Sequence, residues 1–100
     1  MIQDEISLAA LKCFADVASD GSFAAVARKR QVDPSIVSRS IAGLEQALGF
    51  RLFDRTTRRL NLTEAGSIYL QRSLTLVAEL DAARQGASEA LTQPSGLIRI

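Results

Sequence analysis

The chain has 100 residues, of which 47% are hydrophobic, and its 12 basic and 11 acidic side chains leave a formal net charge of +1. This suits one small globular domain with its own core and is too apolar for a disordered segment. With no histidine and one cysteine, no paired carboxylates at a plausible cleft and no glycine-rich phosphate loop, an enzyme is not expected, and neither is a metal site or a disulfide framework.

From the N-terminus, MIQDEISLAALKCF is acidic and lacks the basic lead of a secretory signal. No apolar run along the chain reaches the ~18 residues of a membrane span. Leu8, Leu11, Phe14, Ala15 and Ala18 recur at helical spacing, and Asp20-Gly21 supplies a stop, with glycine free to adopt the left-handed conformation. Cys13 lies within that apolar pattern and reads as a small core residue. Ser22 caps a short second helix, FAAVARKR, with Phe23, Val26 and Ala27 on its apolar side. Gln31-Val32 make a tight connection. Asp33 is the next cap, and Pro34 suits a first helical position, where its missing N–H has no partner to lose. Val37, Ile41, Leu44 and Leu48 form one apolar stripe of a third helix over 34–48, and Ser35, Ser38, Arg39 and Ala42 gather on the opposite side. Gly49 ends it.

Leu60 and Leu62 alternate with Arg59 and Asn61 as in a half-buried strand, and Leu52-Phe53 supply its partner. The result is a small hairpin over 52–62 whose polar connection carries Arg55, Thr56, Thr57 and Arg58. Thr63 then caps a long helix, with Glu64 beside its N-terminal dipole. Without a proline before Pro94, the helix runs from 64 to about 92, roughly 40 Å at ~1.5 Å per residue. Tyr69, Leu76, Ala83 and Ala90 are spaced by seven, as are Ser73, Leu80 and Ala87. That is the spacing of a seam for a second helix, the alternative being a lone helix lying on its own domain. PSGLIRI breaks the helix and starts a β-branched run, expected to open a further domain.

Charge is distributed unevenly. Residues 21–60 hold eight basic side chains against three acidic, a net +5, while residues 1–20 carry −3 and residues 61–100 carry −1. A basic zone of this kind is the footprint of a polyanion. Two short helices on a tight turn, the second displaying serines and an arginine, form a helix-turn-helix whose second helix fits the DNA major groove. Small serines allow close approach, and Arg39 can pair with guanine O6 and N7. With a cationic hairpin tip at 54–59 reaching backbone or minor groove, the fold class is mainly α: a winged helix-turn-helix of three helices and a β-hairpin, followed by a long dimerisation helix. A protein-binding winged helix would carry a neutral recognition face, and the +5 zone argues against it.

GSFAAVARKRQVDPSIVSRSIAGLEQALGFRLFDRTTRRLNLTEAG resembles the N-terminal domain of LysR-type transcriptional regulators. The combination of GSF, VSRSI followed by LE and LG, LF with its arginine, and LTEAG carries the likeness over nearly the whole chain. The resemblance implies a DNA-binding domain over 1–62 with its helix-turn-helix at 22–41 and wing at 52–62. It further implies a linker helix over 63–92 that pairs with a second copy, and the start of an effector-binding domain at 93–100. Groove-reading positions fall on Pro34, Ser35, Ser38 and Arg39, and wing contacts on Arg55, Thr56, Arg58 and Arg59. Positions touching the DNA backbone fall on Ser22, Phe23 and Thr63. Arg30 stands where relatives carry an apolar residue, and its guanidinium is a candidate for phosphate. The seam falls on Tyr69, Leu76, Leu80, Ala83 and Ala87. Asp33-Pro34-Ser35 replaces the Ser-Gln-Pro common in relatives, so no family base preference carries over. The implied partners are double-stranded DNA at an inverted repeat, a second copy of the chain (a tetramer at full length) and RNA polymerase. No cofactor is expected in these 100 residues, a small-molecule effector is expected for the following domain, and the setting is the bacterial cytoplasm and nucleoid, away from membranes.

Overall fold

The computed structural model describes residues 6–55 and 60–92. Caps fix where its helices begin and end. Helix α1 (Leu8–Asp20) starts where the Ser7 hydroxyl accepts the Ala10 N–H, and it stops at Gly21, whose φ of 78° is left-handed. Helix α2 (Phe23–Arg30) starts where Ser22 accepts the Ala25 N–H at 2.9 Å. It ends on Gln31 at φ 60°, a left-handed conformation adopted without glycine. Helix α3 (Pro34–Leu48) starts on Asp33 with Pro34 in its first turn, and Gly49 closes it at φ 87°. The bounds of α2 and α3 agree with the sequence reading.

Phe14, Val17, Val26, Ile41, Leu52 and Phe53 form the fully buried centre where the first three helices meet the hairpin. The rings of Phe14 and Phe53 meet edge to face at 5.5 Å, the arrangement their quadrupoles favour. Each such side chain contributes about 1.5–3 kcal/mol by leaving water. The hairpin is shorter than the expected 52–62: strand β1 (Phe53–Asp54) pairs antiparallel with β2 (Asn61–Leu62), Phe53 opposite Leu62 and Asp54 opposite Asn61. Leu52 is fully buried but outside the strand, because its N–H is bound by a side chain of α3.

Helix α4 (Glu64–Thr92) spans 29 residues. Its first turns lie on α1 and the hairpin; past Val77 nearly every side chain is exposed, in a molecule measuring 59 × 31 × 25 Å. Tyr69, expected on a seam, is half-buried, with its ring 6.1 Å from Phe14 and 6.2 Å from Phe50. The ring belongs to the domain because this part of α4 still rests on the core. Ser73, one turn on, is buried with its hydroxyl donating to the Tyr69 carbonyl at 2.7 Å. No helix of the described residues is long and apolar enough to cross a membrane.

Gly66 allows α4 to start against the hairpin. A methyl built on it would press on the backbone carbonyl of Leu52, which cannot rotate away as a side chain could, whereas Gly86 of the same helix faces open space. Gly66→Ala is therefore expected to destabilise the fold by about 1–3 kcal/mol, the steric cost exceeding alanine's helix preference of about 1 kcal/mol. Gly86→Ala should gain up to about 1 kcal/mol. Urea unfolding compares the two, and equal gains would mean that the hairpin yields freely to the methyl.

Candidate nucleic-acid interface

The side of α3 turned from the core presents Ser35, Ser38, Arg39 and Ala42, all exposed, with Pro34 exposed at its head. Val37, Ile41, Leu44 and Glu45 hold the opposite side down. The four candidate reading residues thus share one surface that the described part of the chain leaves uncovered. Arg39 forms no salt bridge among the described residues. Ser35 is partly engaged: its N–H donates to the Asp33 carboxylate at 2.9 Å.

The cations sort into committed and spare. Arg30 is exposed, but its guanidinium donates to Asp16 at 2.7 Å, and Lys29 lies 3.1 Å from Asp20. The basic end of α2 is thereby matched to the acidic end of α1, and the Asp16 hydrogen bond holds the Arg30 pKa above its ordinary value. Arg28, on the same helix, is exposed and has no salt bridge among the described residues. Arg55 is held at the base of the wing, 3.3 Å from Glu45 and with its guanidinium 5.5 Å from the centre of the Phe23 ring. Its side chain is 32% exposed. Thr56, Arg58 and Arg59 lie outside the described residues.

The candidate backbone positions are equally occupied within the fold. Ser22 spends its hydroxyl on the α2 cap. Phe23 places its ring near Phe53 and beneath Arg55, leaving the helix N-terminus rather than the side chain for an anion. The Thr63 hydroxyl donates to the Arg51 carbonyl at 2.7 Å and accepts the Gly66 N–H at 2.8 Å.

Two residues at this surface escape the sequence reading. Glu45 is only 7% exposed, and its carboxylate accepts the Leu52 N–H at 2.8 Å and the Phe53 N–H at 3.3 Å. Its spacing was a usable signal, since a position four after Ile41 and one after Leu44 falls within the buried arc of α3. Ile36 is an exposed large apolar residue on the uncovered side of α3, and its signal was that it lies off the core stripe.

Comparisons agree with this geometry. Residues 8–67 match the family model described as "Bacterial regulatory helix-turn-helix protein, lysR family". The chain is 42% identical over 80 residues to the probable HTH-type transcriptional regulator LtrA of Klebsiella pneumoniae, covering 80% of this chain and 25% of that protein. It superposes on the BenM DBD in complex with benA site 1 DNA with a TM-score of 0.83 at 26% identity, covering 88% of this chain and 99% of that one. Vibrio fischeri DarR, in complex with DNA, gives a TM-score of 0.82 at 26% identity, covering 91% and 31%. The chain spans 25–30% of the length of such relatives.

The cap that starts α3 is sensitive to pH. The Ser35 backbone hydrogen bond, then the Ser35 hydroxyl, and more weakly the charge of Arg39, hold the Asp33 pKa below its ordinary 3.8. Since the folded-state value is the lower one, the cap's contribution is complete above the unfolded value and is lost as pH falls through the folded value. Asp33→Asn accepts the same bond without titrating, so its stability should fall less on acidification below pH 3.8 than that of the wild type. Thermal unfolding between neutral pH and the acid range measures this, and superimposable acid limbs would exclude a role for the Asp33 charge.

Proposed function

The chain belongs to the LysR family of bacterial regulatory helix-turn-helix proteins, and we propose that its Ser35, Ser38 and Arg39 read base edges in the major groove of an operator bound by two copies. The family's function is sequence-specific DNA binding in transcriptional regulation, and α3 is the helix that carries it here. One observation bears most weight: α3 is anchored by Val37, Ile41, Leu44 and Glu45 while the Ser35–Ser38–Arg39 side stays open, the acid beside it, Asp33, being engaged in the helix cap. Serine leaves room for the helix to approach, and Arg39 brings the planar fork that matches guanine.

Within this reading, phosphates are met by Arg28, by the α2 N-terminus at Ser22-Phe23, and by Arg58 and Arg59 of the wing. Arg30 and Arg55 stay with Asp16 and Glu45 and shape the surface rather than touch DNA. Pro34 sets the start of α3. Effector binding belongs to the part of the relatives' length that this chain does not span.

The second copy is brought in by α4. Leu76 and Leu80 each leave more than half of their surface in solvent, and with Ala83 and Ala87 they fall within about 60° of arc at 3.6 residues per turn. A stripe of leucine then alanine suits close approach of another helix, and self-pairing about a two-fold axis covers it in both copies at once.

Selection from random duplexes at two salt concentrations should return an interrupted inverted repeat. On that duplex Arg39→Ala should cost about 1–3 kcal/mol per half-site, while binding to unrelated duplexes changes much less. Equal losses on both would make Arg39 a phosphate contact. Sedimentation equilibrium at micromolar concentration should give a dimer for the wild type and a monomer for Leu80→Asp. A dimer that survives Leu80→Asp would move the seam elsewhere.

A further inference from the structure

The open side of α3 is not wholly polar. Ile36 leaves 51% of its surface in solvent. A large apolar side chain on a helix ordinarily fills the core or is covered by a neighbouring element, and Ile36 is outside the core with half of its surface uncovered. The core stripe is Val37, Ile41 and Leu44, roughly 110° around the helix from Ile36 at 3.6 residues per turn. Ile36 is absent from the hydrophobic side chains packed on the core, both the buried and the partly buried ones. Helix formation does not favour it either, since isoleucine is a poorer helix former than alanine. It stands in the N-terminal part of α3, the part of a recognition helix that meets base edges.

The major groove presents hydrogen-bond donors and acceptors on every base pair and one apolar group, the C5-methyl of thymine. A side chain with neither donor nor acceptor, pressed on a carbonyl or amino edge, strips water from that edge and returns nothing. Pressed on the methyl, it removes apolar surface on both sides. We infer that Ile36 is a specificity-determining residue that seats on a thymine methyl beside the base read by Arg39. This rests on the assignment of α3 as the reading helix. Ile36 and Arg39 are three residues apart and so are neighbours on the helix surface, which places their two bases at the same or the adjacent step. β-Branching restricts Ile36 to few rotamers, so the contact orders little that was free. Val32, 37% exposed in the turn just before α3, adds to the apolar surface at this end.

The test uses the 100-residue chain and the duplex it selects. Each thymine of one half-site is replaced in turn by deoxyuridine, which removes the C5-methyl and nothing else. One replacement should weaken wild-type binding about fourfold, the worth of one buried methyl, and leave Ile36→Ala binding unchanged. Ile36→Val, which keeps the branch at Cβ, should retain most of the sensitivity. Thermal unfolding of both variants should match the wild type, because the side chain is exposed, so their binding reports the contact and not the fold. Equal uracil penalties in wild type and Ile36→Ala at every thymine would overturn the assignment and leave the DNA-reading function standing. A selected half-site without thymine would do the same. Failure to select any duplex would overturn both.

Discussion

One buried carboxylate holds the working parts of this molecule in place. As the chain leaves α3 it passes from exposed Arg51 into the interior at Leu52 and Phe53, where every backbone N–H needs an acceptor. Glu45 supplies it for Leu52 and Phe53, and Arg55 and Arg51 approach the other carboxylate oxygen at 3.3 Å and 3.7 Å. Burying a charge is costly unless hydrogen bonds and countercharge replace its water, and here both are present. A glutamine could accept the two N–H bonds, yet it would leave Arg55 without its ion pair.

The same short segment is gripped from the other side. The Leu52 carbonyl accepts the Thr63 N–H at 2.9 Å, the Arg51 carbonyl accepts the Thr63 hydroxyl, and Gly66 leaves the clearance for both. Leu52 and Phe53 therefore give their N–H groups to Glu45 of α3, while the Arg51 and Leu52 carbonyls accept from Thr63 at the start of α4. These bonds tie the end of α3 to the start of α4 through one short segment, with Phe53 packed edge to face on Phe14. Thr63 and Arg55 were expected at the DNA surface. In the structure both make bonds within the fold, Thr63 to residues 51 and 52 and Arg55 to Glu45 of α3.

What the sequence made legible follows from where the information sits. The caps Ser22, Asp33 and Gly49 and the stripe Val37–Ile41–Leu44 are local signals, and the helices fell where those residues placed them. For Glu45 the spacing pointed inward while the charge pointed outward, because an acid beside a leucine stripe is usually a solvated neighbour. Only the tertiary approach of residues 51–53 turns it inward. Gln31 was missed for a related reason: a left-handed cap is ordinarily glycine or asparagine, and here the tight α2–α3 connection imposes it on glutamine. The basic zone was read as one surface, whereas folding pairs Lys29 and Arg30 with the acidic end of α1. Net charge by segment cannot reveal a pairing between segments.

That pairing changes what the surface is suited for. A wholly unpaired basic zone would hold any duplex, with affinity falling steeply in salt and little preference among sequences. Pairing two cations of α2 with the acidic end of α1 leaves fewer of them for nonspecific phosphate contacts, which on the proposed reading shifts weight to α3. On α3 the open residues are short hydroxyls, one planar cation and one aliphatic, and each has a different complement on a base edge. On the proposed dimer, the bonds at residues 51–53 also set how α3 stands relative to the two-fold axis through α4. The spacing of the two half-sites then depends on Glu45, Thr63 and Gly66, residues outside the proposed reading surface of α3. A change at that junction would alter which repeats both copies can reach together, even with Ser35, Ser38 and Arg39 intact.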